Sequence, residues 1–190
     1  MKNLIKRLMD IFISSMAILI FSPFFIAIAI ALKIDSKGPV FYKHSRVGKN
    51  GKIFTCYKFR SMYVGVDPNK LVSDSNDDRV TLVGKFMRSS SLDELPQLIN
   101  VFLGAMSIVG PRPALPSQVE QFTKEEKDKL LVKPGLTGWT QVNGRNSIPY
   151  SKRMELDCWY AKNWNIFLDI NIILKTFIVV LRRDGIYDAK

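Results

Sequence analysis

The sequence is poor in the residues that build metal centres and disulfide frameworks. It has 1 histidine and 2 cysteines in 190 residues, and the cysteines, Cys56 and Cys158, show no metal-ligand spacing. A structural zinc site, a histidine-based triad and a disulfide scaffold are therefore disfavoured, and a reducing location facing the cytosol is the default expectation. Internal repeats and the glycine patterns of dinucleotide-binding and Walker-type loops are also absent from the sequence.

What the chain has in excess is positive charge. Lys and Arg number 28 against 17 Asp and Glu, which gives a formal net charge of +11. Such an excess suits nucleic acid, anionic lipid or phosphorylated substrates as partners. The length allows one compact domain with at most a small appendage. We expect residues 1–36 to form a membrane helix with its flanks, and residues 37–190 to form a domain that faces the cytosol.

The sequence contains one uninterrupted apolar run, residues 11–32. A bilayer crossing takes about 20 residues, so this run is just long enough. Ser22-Pro23 lies in its middle, where proline removes a helical hydrogen bond and the serine hydroxyl can satisfy the freed carbonyl. Lysine and arginine flank both ends, and such an excess marks cytoplasmic flanks. We therefore expect a re-entrant membrane helix broken at Ser22-Pro23, in preference to a kinked single span or a cleaved signal peptide.

Short elements are expected in the rest of the chain. The turn residues at 48–51 lie between apolar stretches at 40–43 and 52–60, a pattern that predicts a β-hairpin. A short helix is expected at 82–88. A second is expected at 123–130, with Thr123 as its N-cap and a glutamate three residues later.

The C-terminal part contains a second apolar segment, residues 165–181, which charged residues interrupt. It predicts an amphipathic helix that lies at the membrane interface or docks on the core. The polar stretch 63–79 is expected to be a surface excursion. The predicted fold class is α/β (α+β), a small helix-rich domain with a short β-hairpin.

Two adjacent acids, Asp93 and Glu94, lie in a stretch that otherwise collects cations and turn residues. Adjacent carboxylates repel each other, so we expect them to share a cation, and hard divalent metals prefer carboxylate oxygens. The nearby arginines in turn require an anion, and phosphate fits their forked donors best. A carboxylate pair, a metal and phosphate-binding arginines together indicate phosphoryl-transfer chemistry.

Helix capping is the competing interpretation of the same acids. Ser91 and Glu94 match a capping box, and acids in a first helical turn meet the macrodipole favourably. Apolar residues then follow at helical spacing, namely Leu95, Leu98, Ile99 and Phe102. On this segment alone, capping and chemistry remain equal alternatives.

A series of motifs in a fixed order carries a family resemblance over almost the whole chain. The motifs are the apolar helix with Ser22-Pro23, Arg46-Val-Gly48, Tyr57-Lys-Phe-Arg-Ser-Met62, Arg88-Ser-Ser-Ser-Leu-Asp-Glu-Leu-Pro-Gln97, Gly110-Pro-Arg-Pro113, the segment from Lys133 to Arg145, and Glu155-Leu-Asp-Cys-Trp-Tyr160. Together they resemble the bacterial sugar transferases that prime glycan assembly, the monotopic polyprenyl-phosphate phosphoglycosyltransferases. The length resembles the minimal catalytic form of that family, so residues 37–190 would be its catalytic domain.

The resemblance implies transfer of a phosphosugar from a UDP-sugar to polyprenyl phosphate, usually undecaprenyl phosphate, with release of UMP. It places the protein on the cytoplasmic face of the bacterial inner membrane, in contact with membrane lipid. By this analogy Asp93 is the nucleophile that forms a phosphoglycosyl-aspartate. Glu94, together with Asp93, would bind the cofactor Mg²⁺. Further substrate or phosphate contacts are expected from Lys58, Arg60, Arg88, Arg112 and Arg145, with Asp157 supporting the site.

The sequence departs from the family pattern at two places. Ala105 stands where family members commonly carry an aspartate, so a supporting role there is absent or supplied elsewhere. His44-Ser45 replaces the usual glutamine and charged residue, so no contact before Arg46 is carried over.

Two other function classes compete with an enzyme. A membrane-anchored nucleic-acid-binding protein would explain the charge, but no recognition helix or pattern of stacking aromatics is present, so nucleic acid is not an expected partner. A non-catalytic membrane scaffold would use Asp93 and Glu94 only as helix caps. The sequence does not reveal the sugar or the glycan pathway, and it leaves open whether the chain forms a homodimer.

Overall fold

The computed structural model describes residues 1–66 and 77–182, apart from the side chains of residues 181 and 182. Most of the predicted excursion at 63–79 therefore lies outside the described residues. The helices are α1 (Lys2–Asp35), α2 (Leu82–Ser90), α3 (Gln97–Leu103), α4 (Pro116–Glu120), α5 (Trp139–Val142), α6 (Tyr150–Asn163) and α7 (Ile166–Arg182). The strands are β1 (Phe41–Val47), β2 (Ile53–Phe59), β3 (Ser107–Val109) and β4 (Gly135–Thr137). This helix-rich arrangement with small sheets confirms the predicted mixed α/β class.

The β-hairpin of β1 and β2 is confirmed, with antiparallel register from Phe41 opposite Phe59 to Val47 opposite Ile53. Asn50 (φ 56°) and Gly51 (φ 77°) adopt left-handed backbone conformations in the turn, which asparagine and glycine tolerate best. β1 extends to Val47, beyond the predicted end at residue 43. The polar residues at 44–46 have no strong strand propensity, so the sequence did not predict this extension. Hydrogen bonds to β2 stabilise them as a strand.

The second sheet, β3 paired parallel to β4, was not predicted. Each strand has three residues, too few for a periodic pattern to show in the sequence. Two backbone segments approach each other closely beside this sheet, since a Cβ on Gly135 would lie 2.0 Å from the Gly110 nitrogen. This contact explains why both positions carry glycine, and it fixes the loop after β3 against the loop before β4.

The predicted short helices are present. α2 covers the segment predicted at 82–88. The predicted capping pair also forms: the Thr123 N–H donates to Glu126 Oε2 at 2.9 Å, and the Glu126 N–H donates to Thr123 Oγ1 at 3.2 Å. The helix that follows, Glu126–Leu131, is a 3₁₀ helix and not an α-helix. In α3, Leu98 and Val101 face the core, whereas Phe102 is 46% exposed.

Both ends of α1 pack on the same body. Near its start, Lys6 forms an ion pair with Asp169 of α7, and the Asp10 carboxylate accepts hydrogen bonds from Ser107 and Ile108 of β3. Near its end, Leu32 is completely buried in a cluster with Phe59 of β2 and Met87 of α2. The middle of the helix is open, with Leu19 69%, Ile20 63% and Ile26 62% exposed.

The predicted break of this helix at Ser22-Pro23 is not observed, because α1 continues from Lys2 to Asp35 with Pro23 inside it. The proline removes the N–H that would bond to the Leu19 carbonyl, and the Ser22 hydroxyl donates to that same oxygen at 2.8 Å. The serine thus satisfies the freed carbonyl, as predicted. The loss of one backbone hydrogen bond at Pro23 does not interrupt the helix. By length and composition, this is the one helix among the described residues that is long and apolar enough to cross a membrane.

The amphipathic helix predicted at 165–181 is α7. Asp169 and Ile172 are completely buried on its inner face. On its outer face Phe167 is 85%, Leu174 62% and Phe177 65% exposed. The helix is therefore docked on the core by one face and presents an apolar surface on the other.

The attachment of α1 generates the first prediction. Asp169 is completely buried and binds Lys6 and the Tyr160 hydroxyl (2.5 Å), so removing the lysine leaves a buried carboxylate without its cation. Lys6→Met is expected to lower the free energy of unfolding by about 3 kcal/mol, measured by denaturant titration in detergent. Lys2→Met, at the exposed start of the same helix, is the control and should be neutral. Equal stability of the two variants would contradict this role for the ion pair.

Candidate functional site

The candidate site is a cavity of about 430 Å³ between the hairpin, the turn that carries the two acids, and the segments around α5 and α6. Seven of the eight residues predicted for catalysis and substrate contact line it. They are Lys58, Arg88, Asp93, Glu94, Arg112, Arg145 and Asp157. Residues from distant parts of the sequence therefore meet around one space, although their roles remain predictions.

The two acids are placed by a sharp change of direction after α2. Ser91 takes a left-handed conformation (φ 58°), a single 3₁₀ turn (Leu92–Glu94) follows, and Pro96 precedes α3. The Ser91 side chain makes no capping hydrogen bond to this turn. Its hydroxyl instead accepts a hydrogen bond from Arg145 at 2.9 Å. The predicted capping box is thus not formed, and capping does not account for the acid pair.

Glu94 is held by two cations. Lys58 Nζ and Arg112 Nη2 both lie 2.7 Å from its Oε1, and Arg112 Nη1 lies 3.3 Å from Oε2. Burial alone would raise the pKa of Glu94, but Arg112 and Lys58 outweigh it and hold the pKa well below the ordinary glutamate value. Glu94 is therefore ionised at neutral pH and fixed in position, and it links the hairpin to the segment of Arg112.

Asp93 has a different environment although it is the next residue. Within the described parts of the chain, no hydrogen-bond donor contacts its carboxylate, and the nearest cation is Lys58, 3.9 Å from Oδ2. Burial raises the pKa of Asp93 above the ordinary aspartate value, while the Lys58 charge opposes this rise. The carboxylate oxygens thus face the cavity with free lone pairs, as an attacking group or a metal ligand requires.

Four further arginines line the cavity without an acidic partner among residues 1–66 and 77–182: Arg46, Arg88, Arg145 and Arg153. Arg88 binds the Ser61 hydroxyl (3.0 Å), and Arg46 binds the Pro113 carbonyl (3.1 Å). Burial and the charge of Arg112 both lower the pKa of Arg46 and of Arg145. Guanidinium groups that repel one another around one space indicate an anionic ligand, and phosphate fits their donor geometry.

Asp157 lies in the wall behind these groups. Its carboxylate accepts from Lys129 Nζ at 2.8 Å and from the Thr140 hydroxyl at 2.6 Å, and it is 4% exposed. Its carboxylate is therefore held within the wall, and the supporting role expected of it stays a prediction. The neighbouring Gln141 was not singled out from the sequence. Both atoms of its side-chain amide are buried without a hydrogen-bond partner, so they are available to a ligand in the cavity that Gln141 lines.

The prediction that Arg60 contacts phosphate requires correction. Arg60 is 5% exposed and lies outside the cavity. Its guanidinium donates to the carbonyls of Leu32 (3.2 Å), Ser36 (2.8 Å) and Lys37 (2.9 Å) at the end of α1. A cation at a helix C-terminus satisfies carbonyls that lack partners and complements the helix dipole. Arg60 thus ties the end of α1 to the end of β2.

The predicted Mg²⁺ site can be tested only by its donor set. The described residues contain no group of three or more His, Cys, Asp or Glu side chains that could hold a metal. Mg²⁺ is commonly bound by one or two carboxylates together with substrate phosphates and water, so the pair Asp93 and Glu94 fits this ion. Asp93 has the open oxygens, whereas Glu94 is already shared by two cations.

The chain resembles known sugar transferases over nearly its whole length. The profile of the family described as bacterial sugar transferase matches residues 1–183. The undecaprenyl-phosphate galactose phosphotransferase of Salmonella typhimurium is 45% identical over 96% of this chain and 42% of its own length. The exopolysaccharide production protein ExoY of Rhizobium meliloti is 40% identical over 96% of this chain and 88% of its own length.

A further relative is the UDP-glucose:undecaprenyl-phosphate glucose-1-phosphate transferase of Escherichia coli, 43% identical over 92% of this chain and 39% of its own length. The chain thus spans about two fifths of the length of several curated relatives.

The environment of Glu94 predicts a pH dependence of stability. Because its folded-state pKa lies below the ordinary value of 4.5, the ionised group stabilises the fold above that pH, and this contribution is lost as pH falls toward the folded-state pKa. Glu94→Gln should therefore be less stable than the native chain at pH 7, with a difference that narrows below about pH 4.5. Thermal unfolding in detergent between pH 3 and 7 measures this. Glu155→Gln, at a 65% exposed side chain, should show no such convergence; a constant gap for Glu94→Gln would oppose the assignment.

Proposed function

The chain belongs to the bacterial sugar transferase family, and on that premise we propose that it transfers a sugar phosphate from a UDP-sugar to a polyprenyl phosphate, with undecaprenyl phosphate as the acceptor and UMP as the second product. The observation that carries this proposal is the contrast between the two acids. Glu94 is neutralised by two cations. Asp93, by contrast, accepts no hydrogen bond within residues 1–66 and 77–182, and it faces a cavity whose arginines Arg46, Arg88 and Arg145 have no acidic partner in the same ranges. The names of three curated relatives, one galactose phosphotransferase and two glucose-1-phosphate transferases, support the same substrate class.

We propose a reaction in two displacements. In the first, a carboxylate oxygen of Asp93 attacks the phosphorus that carries the sugar. A bond from Asp93 to phosphorus forms, the bond from that phosphorus to the bridging oxygen breaks, and UMP leaves with the electron pair. In the second, an oxygen of the lipid phosphate attacks the same phosphorus. The bond to Asp93 breaks, and the carboxylate is restored as the lipid diphosphate sugar forms.

The surrounding residues favour both displacements by electrostatics. The diphosphate of the donor carries negative charge that Arg88, Arg112 and Arg145 would bind through their guanidinium donors. Lys58 lies between the two acids and would hold Asp93 near the bound phosphate without neutralising it through a direct hydrogen bond. Mg²⁺, bound by Asp93 and Glu94 together with the donor phosphates, would neutralise part of this charge and assist departure of UMP.

The proposed location is the cytoplasmic face of the bacterial inner membrane, with both ends of α1 on the same side of the bilayer. A helix whose two ends contact one body cannot place those ends on opposite sides of a membrane unless the body also crosses. Lys6 and Asp10 at one end, and Leu32 and Arg60 at the other, make such contacts. The exposed apolar middle would then lie in lipid, and the cavity would remain at the headgroup plane, where a lipid phosphate meets a soluble donor.

Replacement of the attacking oxygen tests the chemistry. Asp93→Asn keeps the shape of the side chain but offers a neutral amide, so UMP release should fall by roughly a thousandfold or more. The assay supplies undecaprenyl phosphate, Mg²⁺ and a panel of UDP-sugars. Incubation with donor alone should add the mass of one phosphosugar to the native chain and nothing to the variant.

Asp128→Asn serves as the matched control, because Asp128 forms a surface ion pair with Lys162 outside the cavity. It should retain native turnover and the mass increase. Full activity of Asp93→Asn, or no UMP release from any donor by the native chain, would refute the proposal.

Labelling of introduced cysteines tests the topology. Lys2→Cys and Lys37→Cys place thiols at exposed positions on either flank of the apolar run, in a chain whose half-buried Cys158 is replaced by serine. A membrane-impermeant maleimide should label both in inverted vesicles and neither in intact spheroplasts. Lys124→Cys, on the body of the protein, reports the cytoplasmic side. Labelling of the two flanks from opposite sides would establish a single span.

A further inference from the structure

A second cavity, of about 440 Å³, lies at the start of α1 and shares no lining residue with the cavity of Asp93. It is enclosed by the first turns of α1, the hairpin turn, the segment before β4 and the end of α6. Four cations line it, Lys6, Arg7, Lys49 and Lys133, against the single carboxylate of Asp10. A space walled by so many like charges favours an anion.

The contacts that these groups make within the described residues do not neutralise all of their positive charge. Lys6 is paired with Asp169, and the Asp10 carboxylate is occupied by Ser107 and Ile108. Arg7 donates to the carbonyls of Val101 and Phe102, both at 2.7 Å, and these carry no full negative charge.

Lys49 and Lys133 make no side-chain hydrogen bond or ion pair in the described portion of the chain. Lys49 is exposed to solvent, whereas Lys133 is half-buried. A Cβ placed on Gly104 would lie 3.3 Å from Arg7 Nη2 and 3.6 Å from Lys133 Nζ, so the two cationic groups are close neighbours. Burial and the charge of Arg7 lower the pKa of Lys133. An anion between these two groups would convert their repulsion into attraction.

Exposed apolar side chains occur in and near this cavity. Leu131 lines it and is 53% exposed, and Leu4 and Leu8, in the same turns of α1 as the lining residue Arg7, are 64% and 57% exposed. The Trp164 ring also lines the cavity, with Lys6 Nζ 5.5 Å from its centroid. A cationic interior with exposed apolar side chains nearby matches an amphiphile whose polar end is anionic, and tryptophan is typical of the level of lipid headgroups.

We propose that this cavity binds the phosphate of an acidic membrane phospholipid, with the acyl chains lying along the exposed apolar side of α1. The site is separate from the one that acts on substrates and does not depend on the proposed reaction. Bound there, one lipid headgroup neutralises Lys133 and Arg7 and fixes the start of the membrane helix at the headgroup plane.

The test measures binding of fluorescent phosphatidylglycerol to the full chain in neutral detergent micelles. Lys49→Gln/Lys133→Gln should weaken binding by roughly tenfold or more, since each lysine near an anionic lipid contributes substantially to affinity. Lys124→Gln/Lys127→Gln removes the same charge at exposed positions away from the cavity and should change affinity less than about twofold. Equal loss in the two double variants would overturn the proposal, because it would show attraction to net charge alone.

Competition experiments identify the source of the phosphate, and a variant that conserves the charge separates loss of binding from misfolding. Phosphatidylcholine should not displace the probe, and inorganic phosphate or undecaprenyl phosphate at equal concentration should displace it less well than unlabelled phosphatidylglycerol. Complete displacement by inorganic phosphate would show a free-phosphate site and refute a lipid site. Lys133→Arg, which keeps the charge, should bind the probe as well as the native chain does, whereas Lys133→Gln should bind it more weakly, and both should keep the native melting temperature. Equally weak binding by a folded Lys133→Arg variant would also refute the site.

Discussion

The ion triad of Glu94 with Lys58 and Arg112 is the interaction on which the candidate site depends. It joins the hairpin, the turn of the two acids and the segment before α4 through one carboxylate oxygen with two contacts of 2.7 Å. Because Glu94 forms the ion pairs with Lys58 and Arg112, its neighbour Asp93 accepts no hydrogen bond among the described residues. Two adjacent carboxylates thereby acquire opposite pKa shifts, one raised and one lowered, from environments that differ within a single turn.

A second set of polar contacts fixes the membrane helix to this site. Buried charge at both ends of α1, in the pair of Lys6 with Asp169 and in the Arg60 guanidinium, holds the helix to the core without covering its apolar middle. Buried pairs of this kind specify position more than they add stability, since desolvation offsets much of their attraction. The orientation of the helix and the placement of the cavity are therefore parts of one arrangement.

The positive charge of the chain is organised and not merely abundant. One group of arginines faces the cavity of Asp93, and a second group of cations faces the cavity at the start of α1. Two separate cavities lined by cations account for the excess better than an extended nucleic-acid surface, which would require a continuous basic face. The scaffold alternative loses its main support as well, because Ser91 binds Arg145 and does not cap the turn of the acids.

The sequence by itself determined the elements with strong local signals, namely the hairpin around an Asn-Gly turn, the apolar helix and the amphipathic α7, because turn chemistry and hydrophobic period are local properties. The family resemblance of its motifs indicated seven residues of the cavity. Only the tertiary structure decided that Arg60 caps α1 while Arg112 grips Glu94, that β3 pairs with β4, and that α1 continues through Pro23. Identical side chains differ in role only through their partners, and these partners lie tens of residues away. The distances between interacting side chains are set by tertiary packing, and a local sequence pattern does not predict them.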